Sequence, residues 1–172
     1  MPPTGNANYG WILHIASKLS QDGVAGFLLA NGALSESGTE QRIRKQLIEN
    51  DLVETIAILP RNLFYTTDIS VTLWILNRNK KARFYRTPGG EMHRLRDRTG
   101  QVLFLDLRQK GVPFEKKYVE ISDAERAEIV GTIMLGSLLT GRSSMKCTEY
   151  CYSASKEEIA SKDYTLVPSR YI

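Results

Sequence analysis

The sequence predicts an α/β fold in which residues 23–80 form one half of a buried parallel sheet. Three observations predict it. Strand-length, mostly apolar runs recur at residues 24–30, 52–59 and 69–76. A helical segment with a start signal joins the first two runs. The link between the second and third is too short for a crossover helix.

Residues 8–19 come first. Ile12, Ile15, Ala16 and Leu19 fall on one helical stripe, with Trp11 flanking it. Asp22-Gly23 then makes a turn. Val24-Ala25-Gly26-Phe27-Leu28-Leu29-Ala30 shows no alternation, as expected of a strand covered on both faces by helices. It ends at Asn31-Gly32, at the carboxyl end of the strand, where open α/β sheets bind their ligands.

Ser37-Gly38-Thr39-Glu40 has the spacing of a capping box. Ile43, Leu47 and Ile48 give the following helix its buried side, and Arg42, Arg44 and Lys45 are expected to face elsewhere. Pro60 stops the second strand. Residues 60–68 cannot hold a crossover, which takes about a dozen residues, so the second and third strands run antiparallel if they share a sheet.

Farther on, residues 102–107 read as another strand. Ser122-Asp123-Ala124-Glu125 is a second capping box, opening a helix with Ile129, Val130, Ile133, Met134 and Leu138 inward and Gly141 as its stop. Residues 141–152 read as a loop. Ser155-Lys156-Glu157-Glu158 starts a short final helix, and residues 164–172 form an extended tail. The division expected is 1–80, 81–99 for a basic arm or hairpin, and 100–172 for an extension with strand and helices.

The chain has 172 residues, 42% of them apolar and 24% charged, which suits one domain, or a domain with an appendage, around a real core. No apolar run approaches the roughly 20 residues of a membrane helix, and Met1-Pro2-Pro3-Thr4-Gly5 lacks the regions of a signal peptide. The cysteines, Cys147 and Cys151, are expected to be two unremarkable thiols, and the location cytoplasmic.

The formal charge of +4 suits an anionic partner. Most of the excess sits in residues 78–98, where Arg78, Lys80, Lys81, Arg83, Arg86, Arg94, Arg96 and Arg98 face only Glu91 and Asp97. Two readings stand. One is a solvated linker or hairpin; the other is an arm that contacts phosphates and binds in a salt-dependent way.

Catalytic motifs are scarce. Neither G-x-G-x-x-G nor G-x-x-x-x-G-K-[ST] occurs. The cysteine pair has no second pair to complete a zinc site, and no metal is expected. His14 and His93 have no evident nucleophile and orienting carboxylate beside them. Asp106 ends a strand, a common place for a catalytic carboxylate, but stands alone.

More informative is Leu59-Pro60-Arg61-Asn62-Leu63-Phe64-Tyr65-Thr66-Thr67-Asp68-Ile69. Adjacent aromatics occupy a loop at the end of a buried strand, where small polar residues are usual. Phe64 and Tyr65 either cover the sheet edge or offer a stacking surface to a planar ligand such as an extruded base.

Taken together, several ordered blocks resemble a known family. Pro2-Pro3-Thr4-Gly5-Asn6-Ala7-Asn8-Tyr9-Gly10-Trp11, Leu29-Ala30-Asn31-Gly32-Ala33-Leu34-Ser35, Ile43-Arg44-Lys45, Leu59-Pro60-Arg61-Asn62-Leu63-Phe64-Tyr65 and Leu73-Trp74-Ile75-Leu76-Asn77 are similar to the modification (methyltransferase) subunit of type I restriction–modification systems. Cys151-Tyr152-Ser153-Ala154, Glu157-Glu158-Ile159, Asp163-Tyr164 and Pro168-Ser169-Arg170-Tyr171 resemble that family's C-terminus. The resemblance covers nearly the whole chain.

It implies a fragment of an N6-adenine DNA methyltransferase that uses S-adenosylmethionine. Residues 1–80 would be the C-terminal half of a Rossmann-like catalytic sheet, mixed, with its last strand antiparallel and lying between the two before it. The family's glycine-rich donor loop and its [N/D]-P-P-[F/Y] catalytic loop precede the matched region. Met1-Pro2-Pro3-Thr4 does not replace the latter, since Met1 cannot hydrogen-bond a target amino group and Thr4 cannot stack on a base; it matches a second Pro-Pro segment of the family.

The resemblance places Phe64, with Tyr65 as its neighbour, where the family stacks an aromatic on the flipped adenine. Arg61, Arg83, Arg94 and Arg96 are the candidates for DNA-backbone contact. No catalytic or cofactor-binding residue is assigned, no donor is expected to bind this chain, and alone it is expected to be inactive. Implied partners are DNA, the specificity and restriction subunits, and the missing N-terminal half, with self-association through an exposed sheet edge. The alternatives are a non-catalytic DNA- or subunit-binding module and an unrelated small α/β enzyme.

Overall fold

The computed structural model describes residues 7–86, 89–138, 146–147 and 149–172. Its elements, in order, are α1 (Ala7–Lys18), β1 (Val24–Ala30), α2 (Thr39–Glu49), β2 (Val53–Ile58), β3 (Val71–Asn77), β4 (Arg83–Arg86), β5 (Met92–Leu95), β6 (Gln101–Asp106), β7 (Val112–Phe114), β8 (Tyr118–Glu120), α3 (Asp123–Leu138), β9 (Lys146–Cys147), β10 (Cys151–Ser155) and α4 (Lys156–Ser161). Short 3-10 turns follow β1 and precede the C-terminus.

Six strands form one sheet in the order β1-β3-β2-β6-β10-β9. The pair β2/β6 is parallel and all the others are antiparallel. As the short 60–68 link requires, β3 returns antiparallel to β2, and it lies between β1 and β2. β1 and β2 point the same way without touching, so residues 23–80 are a mixed sheet rather than a parallel one.

Alternate residues point to opposite faces. One face carries Trp74, Leu76, Ile56 and Phe104, closed over by Tyr9 and Ile12 of α1 and by Ile43, Leu47 and Ile48 of α2. The other carries Ala57, Leu103 and Leu105, covered by Ile129 and Ile133 of α3. This second cover does not extend to the β1 edge: Val24 is 53% and Leu28 45% exposed. The expectation that β1 is covered on both faces is therefore corrected. Unbroken apolarity does not reveal that one side is left open.

Several local expectations change as well. α2 begins at Thr39 behind Gly38 (φ 75°), with no side-chain cap, so the capping box at residue 37 does not form. Arg44 is buried rather than outward-facing: its Nε donates to the Tyr164 carbonyl at 3.0 Å and its Nη1 to the Tyr9 hydroxyl at 2.9 Å. The second box does form, with Ser122 N donating to Glu125 Oε2 at 3.0 Å and Glu125 N to Ser122 Oγ at 3.3 Å. Ser155 caps α4 through Glu158 N.

Val130 is exposed, not inward. The side chains of Met134 and Leu138, and residue Gly141, lie outside the described residues. β9 and β10 occupy part of the segment expected to be a loop. Their register puts Cys147 opposite Cys151, a spacing within reach of a disulfide. Cys151 is disulfide-bonded, which corrects the expectation of two free thiols. The expected extended tail instead closes the core, with the Tyr171 ring stacked on Phe104 at 4.0 Å.

Among the described residues no helix is long and apolar enough to cross a membrane, and no group of three or more His, Cys, Asp or Glu side chains could hold a metal.

A candidate nucleic-acid interface at the carboxyl ends of the strands

The loop at residues 60–68 lies at the carboxyl end of β2 because Pro60 cannot continue the ladder and Asn62 turns the chain with φ 58°. Hydrogen bonds hold the loop. Leu59 N donates to Val71 O at 2.9 Å, Arg61 Nε to Asp68 O at 3.1 Å, and Thr67 N to Phe64 O at 3.3 Å. Its two aromatics take different roles. Phe64 is half-buried and packs against the cluster of Leu59, Leu105 and Leu107. Tyr65 stands out into solvent, 68% exposed. The sequence treats the two as interchangeable neighbours; the fold separates them, because consecutive side chains leave a turn in different directions.

Behind the loop stands a hairpin that sequence reasoning missed, β7 and β8, whose three-residue strands carry no periodic signal. Val119 N donates to Asn62 O at 3.1 Å, docking the hairpin on the loop. The Tyr65 and Tyr118 rings meet edge to face at 4.6 Å. Between them lies a cleft of about 340 Å³ lined by Leu63, Tyr65, Phe114, Tyr118, Ile121 and Arg126, among others. Glu125 anchors the hairpin's base, accepting from Gly111 N at 2.6 Å as well as from Ser122. Those bonds hold its carboxyl below the usual carboxylate range. Asn62 Oδ1 is buried with no hydrogen-bond partner among the described residues.

The arginine candidates do not converge. Arg61 is exposed on the aromatic loop. Arg83, Arg94 and Arg96 belong to the β4–β5 hairpin and its exit, at the opposite end of the sheet from Phe64. A seven-residue strand spans about 20 Å, which sets the separation. Arg94 is exposed, Arg83 approaches Asp22 at 3.9 Å, and Arg96 donates to Gln101 Oε1 at 2.9 Å.

Two other cations of the arm are structural. Lys80 is buried with Nζ 2.6 Å from Asp51 Oδ1, 3.0 Å from Val53 O and 2.6 Å from Gln101 O. Burial pulls its pKa down and the Asp51 carboxylate opposes that pull. Arg98 is buried and paired with Glu54. These residues wall a second cavity of about 230 Å³, also lined by Lys81, Arg83 and Thr55. Asp106, at the end of β6, is held by Arg108 through contacts of 2.5–3.2 Å, which lower its pKa. It is an ion-pair partner. His14 lies exposed on α1, edge-on to Trp11 at 6.2 Å.

Comparison with known proteins fits this arrangement. The chain is similar to the type I restriction enzyme HindI methylase subunit of Haemophilus influenzae, with 37% identity over 99% of this chain and 35% of that protein. It is 34% identical to the MjaIX methylase subunit of Methanocaldococcus jannaschii, over all of this chain and 28% of that one. The chain thus spans about a third of the length of these curated relatives. A crystal structure of the type I restriction-modification methyltransferase subunit from Streptococcus thermophilus superposes with a TM-score of 0.78 at 28% identity, over all of this chain and 31% of that chain. The EcoKI M protein shares the fold, with a TM-score of 0.64 at 18% identity over 95% of this chain and 37% of that chain. The family model described as N-6 DNA Methylase matches residues 1–172, and the chain belongs to that family.

Proposed function

We propose that this chain is the adenine-facing, C-terminal part of a type I DNA methyltransferase subunit, one that methylates adenine N6 with S-adenosylmethionine. The observation that carries the reading is the sheet order β1-β3-β2 with an aromatic loop between β2 and β3 at the strands' carboxyl ends, where open α/β sheets bind ligands. In this reading residues 1–80 are half of a Rossmann-like catalytic sheet, 81–99 a basic hairpin and 100–172 an extension. Phe64 stacks on an adenine swung out of the duplex, and its packing against the core fixes its position in advance.

The donor site belongs to the remainder of the subunit. S-adenosylmethionine carries a sulfonium cation, and the cavity walled by Lys80, Lys81, Arg83, Arg96 and Arg98 is the wrong sign for it. The aromatic cleft offers no glycine-rich backbone to cradle its amino-acid end. We assign no donor contact to this chain and expect it to transfer no methyl group alone. The specificity and restriction subunits and the N-terminal half of the same subunit are its proposed partners, and the open face and edge of β1 are where that half would dock. In its absence the unpaired edge of β1 is a template for self-association.

Calorimetric titration of the chain with S-adenosylmethionine tests the division of labour. No heat of binding is expected, and a micromolar Kd would overturn it. A second reading, a non-catalytic module that grips DNA or a partner subunit through the β4–β5 hairpin, draws on the exposure of Arg94 and of Phe84, which is 69% exposed. It requires a sequence-independent gel shift that weakens with salt and on replacing Arg83, Arg94 and Arg96. Binding indifferent to salt would sink it.

A further inference from the structure

We infer that the cleft between the aromatic loop and the β7–β8 hairpin is a second nucleobase site, taking a base of an unpaired DNA strand beside the one that Phe64 faces. The inference rests on the reading of the loop as DNA-facing, but different residues carry it.

Three rings converge on the cleft. Tyr65 is 68% and Phe114 40% exposed, and Tyr118 meets Tyr65 edge to face at 4.6 Å. Aromatic rings open to solvent can stack on bases with little regard to sequence. The volume, about 340 Å³, falls within the range of small-ligand sites, roughly 300–1,000 Å³.

The rim suits a phosphodiester. Glu115, Lys116 and Lys117 form the hairpin tip, all exposed, with the two lysines outnumbering the carboxylate and Lys117 Nζ 6.0 Å from the centre of the Tyr118 ring. Arg126, in the wall, pairs with Asp123 at 3.0 Å, but both side chains are largely exposed. Such a pair is worth little in water, so the guanidinium can exchange its carboxylate for a phosphate at small cost. Glu120, also in the wall, can accept from the exocyclic amino group of a base.

The mount is rigid. Gly111 sits at φ +99°, where a Cβ would fall 2.3 Å from Val119 Cγ1. Glu125 clamps Gly111 N and Ser122 N together, and Val119 N holds the Asn62 carbonyl. A base entering here meets walls that already stand in place, which lowers the ordering cost of binding. Tyr65 thereby acquires a role of its own, as a wall of this cleft rather than a substitute for Phe64.

Photo-cross-linking of the full chain tests this. A short single-stranded oligonucleotide bearing iodouracil is irradiated with the protein, and cross-linked peptides are identified by mass spectrometry. Adducts on Tyr65, Phe114 or Tyr118 are expected. Tyr118→Ala should cut their yield about tenfold, the scale of one lost base–aromatic stack, and Tyr118→Phe should restore it. Circular dichroism of each variant separates a lost stack from a lost fold, and yield lost only where the fold is lost counts against the site. Adducts confined to other peptides, no adducts, or a yield indifferent to Tyr118→Ala would overturn the inference. The two proposals separate by cross-linked residue: adducts at the cleft with none on Phe64 weaken the adenine-facing reading alone, and adducts on Phe64 with none at the cleft overturn this inference alone.

Discussion

The amide of Val119 donates to the carbonyl oxygen of Asn62 at 3.1 Å, joining two segments that lie far apart in sequence and placing Tyr118 against Tyr65. Around that bond the hairpin is stiff, and the stiffness is testable. Gly111→Ala forces a side chain into a left-handed backbone and onto Val119, with Glu120 O only 3.3 Å from the new Cβ. A loss of about 1–3 kcal/mol is expected, read as a lower urea midpoint, with faster proteolysis within residues 111–121. An unchanged midpoint would show that the hairpin is not held as described.

The two loop aromatics should part company when truncated. Phe64 packs on Leu59 and Leu105, so Phe64→Ala should destabilise the chain by about 2 kcal/mol. Tyr65→Ala, at a largely exposed position, should change stability by less than about 0.5 kcal/mol. Equal losses in denaturant titration would mean that both rings are structural.

Lys80, a buried cation of the basic segment, has three acceptors within 3.0 Å. Lys80→Met should destabilise the fold by about 3 kcal/mol, since it strands the partly buried Asp51 carboxylate and two backbone carbonyls. Asp51 keeps one bond, from Gly100 N at 3.0 Å. Lys81→Met, on an exposed neighbour, is the control and should be near neutral.

At alkaline pH the tyrosines set the sign. Burial raises the Tyr171 hydroxyl above its ordinary value of about 10, and that hydroxyl donates to Thr165 O at 2.6 Å. Above pH ~10 the unfolded chain gives up a proton that the native chain keeps, so this group's stabilisation is complete below that pH and is lost as pH rises beyond it. Tyr9, also raised by burial, adds to the same trend. Lys80 opposes it: its lowered pKa leaves the native state holding fewer protons than the unfolded chain in the window below about 10.5. Melting temperatures measured between pH 9 and 11 should fall, and Tyr171→Phe should flatten the fall. An equally steep fall in the variant would assign it elsewhere.

The sequence by itself determined the run α1-β1-α2-β2-β3 and the antiparallel return of β3. Apolar periodicity, caps and link length are properties of neighbouring residues. The boxes at Ser122 and Ser155 were legible for the same reason, and the ordered blocks were enough to place the chain in its family. The tertiary structure decided what depends on distant partners. It turned Arg44 inward, because its acceptor Tyr164 lies 120 residues away. It left one face of β1 open, because the α3 side chains Ile129 and Ile133 pack over Ala57, Leu103 and Leu105 while Val24 and Leu28 stay exposed. It paired Cys147 with Cys151 along a two-residue strand that no period announces. It also put the basic hairpin and the aromatic loop at opposite ends of the sheet, because β3 carries the chain back across its full length before the arginines begin. The loop keeps its place at the strands' carboxyl ends, and its second wall, β7 and β8, comes from three-residue strands too short to show a period.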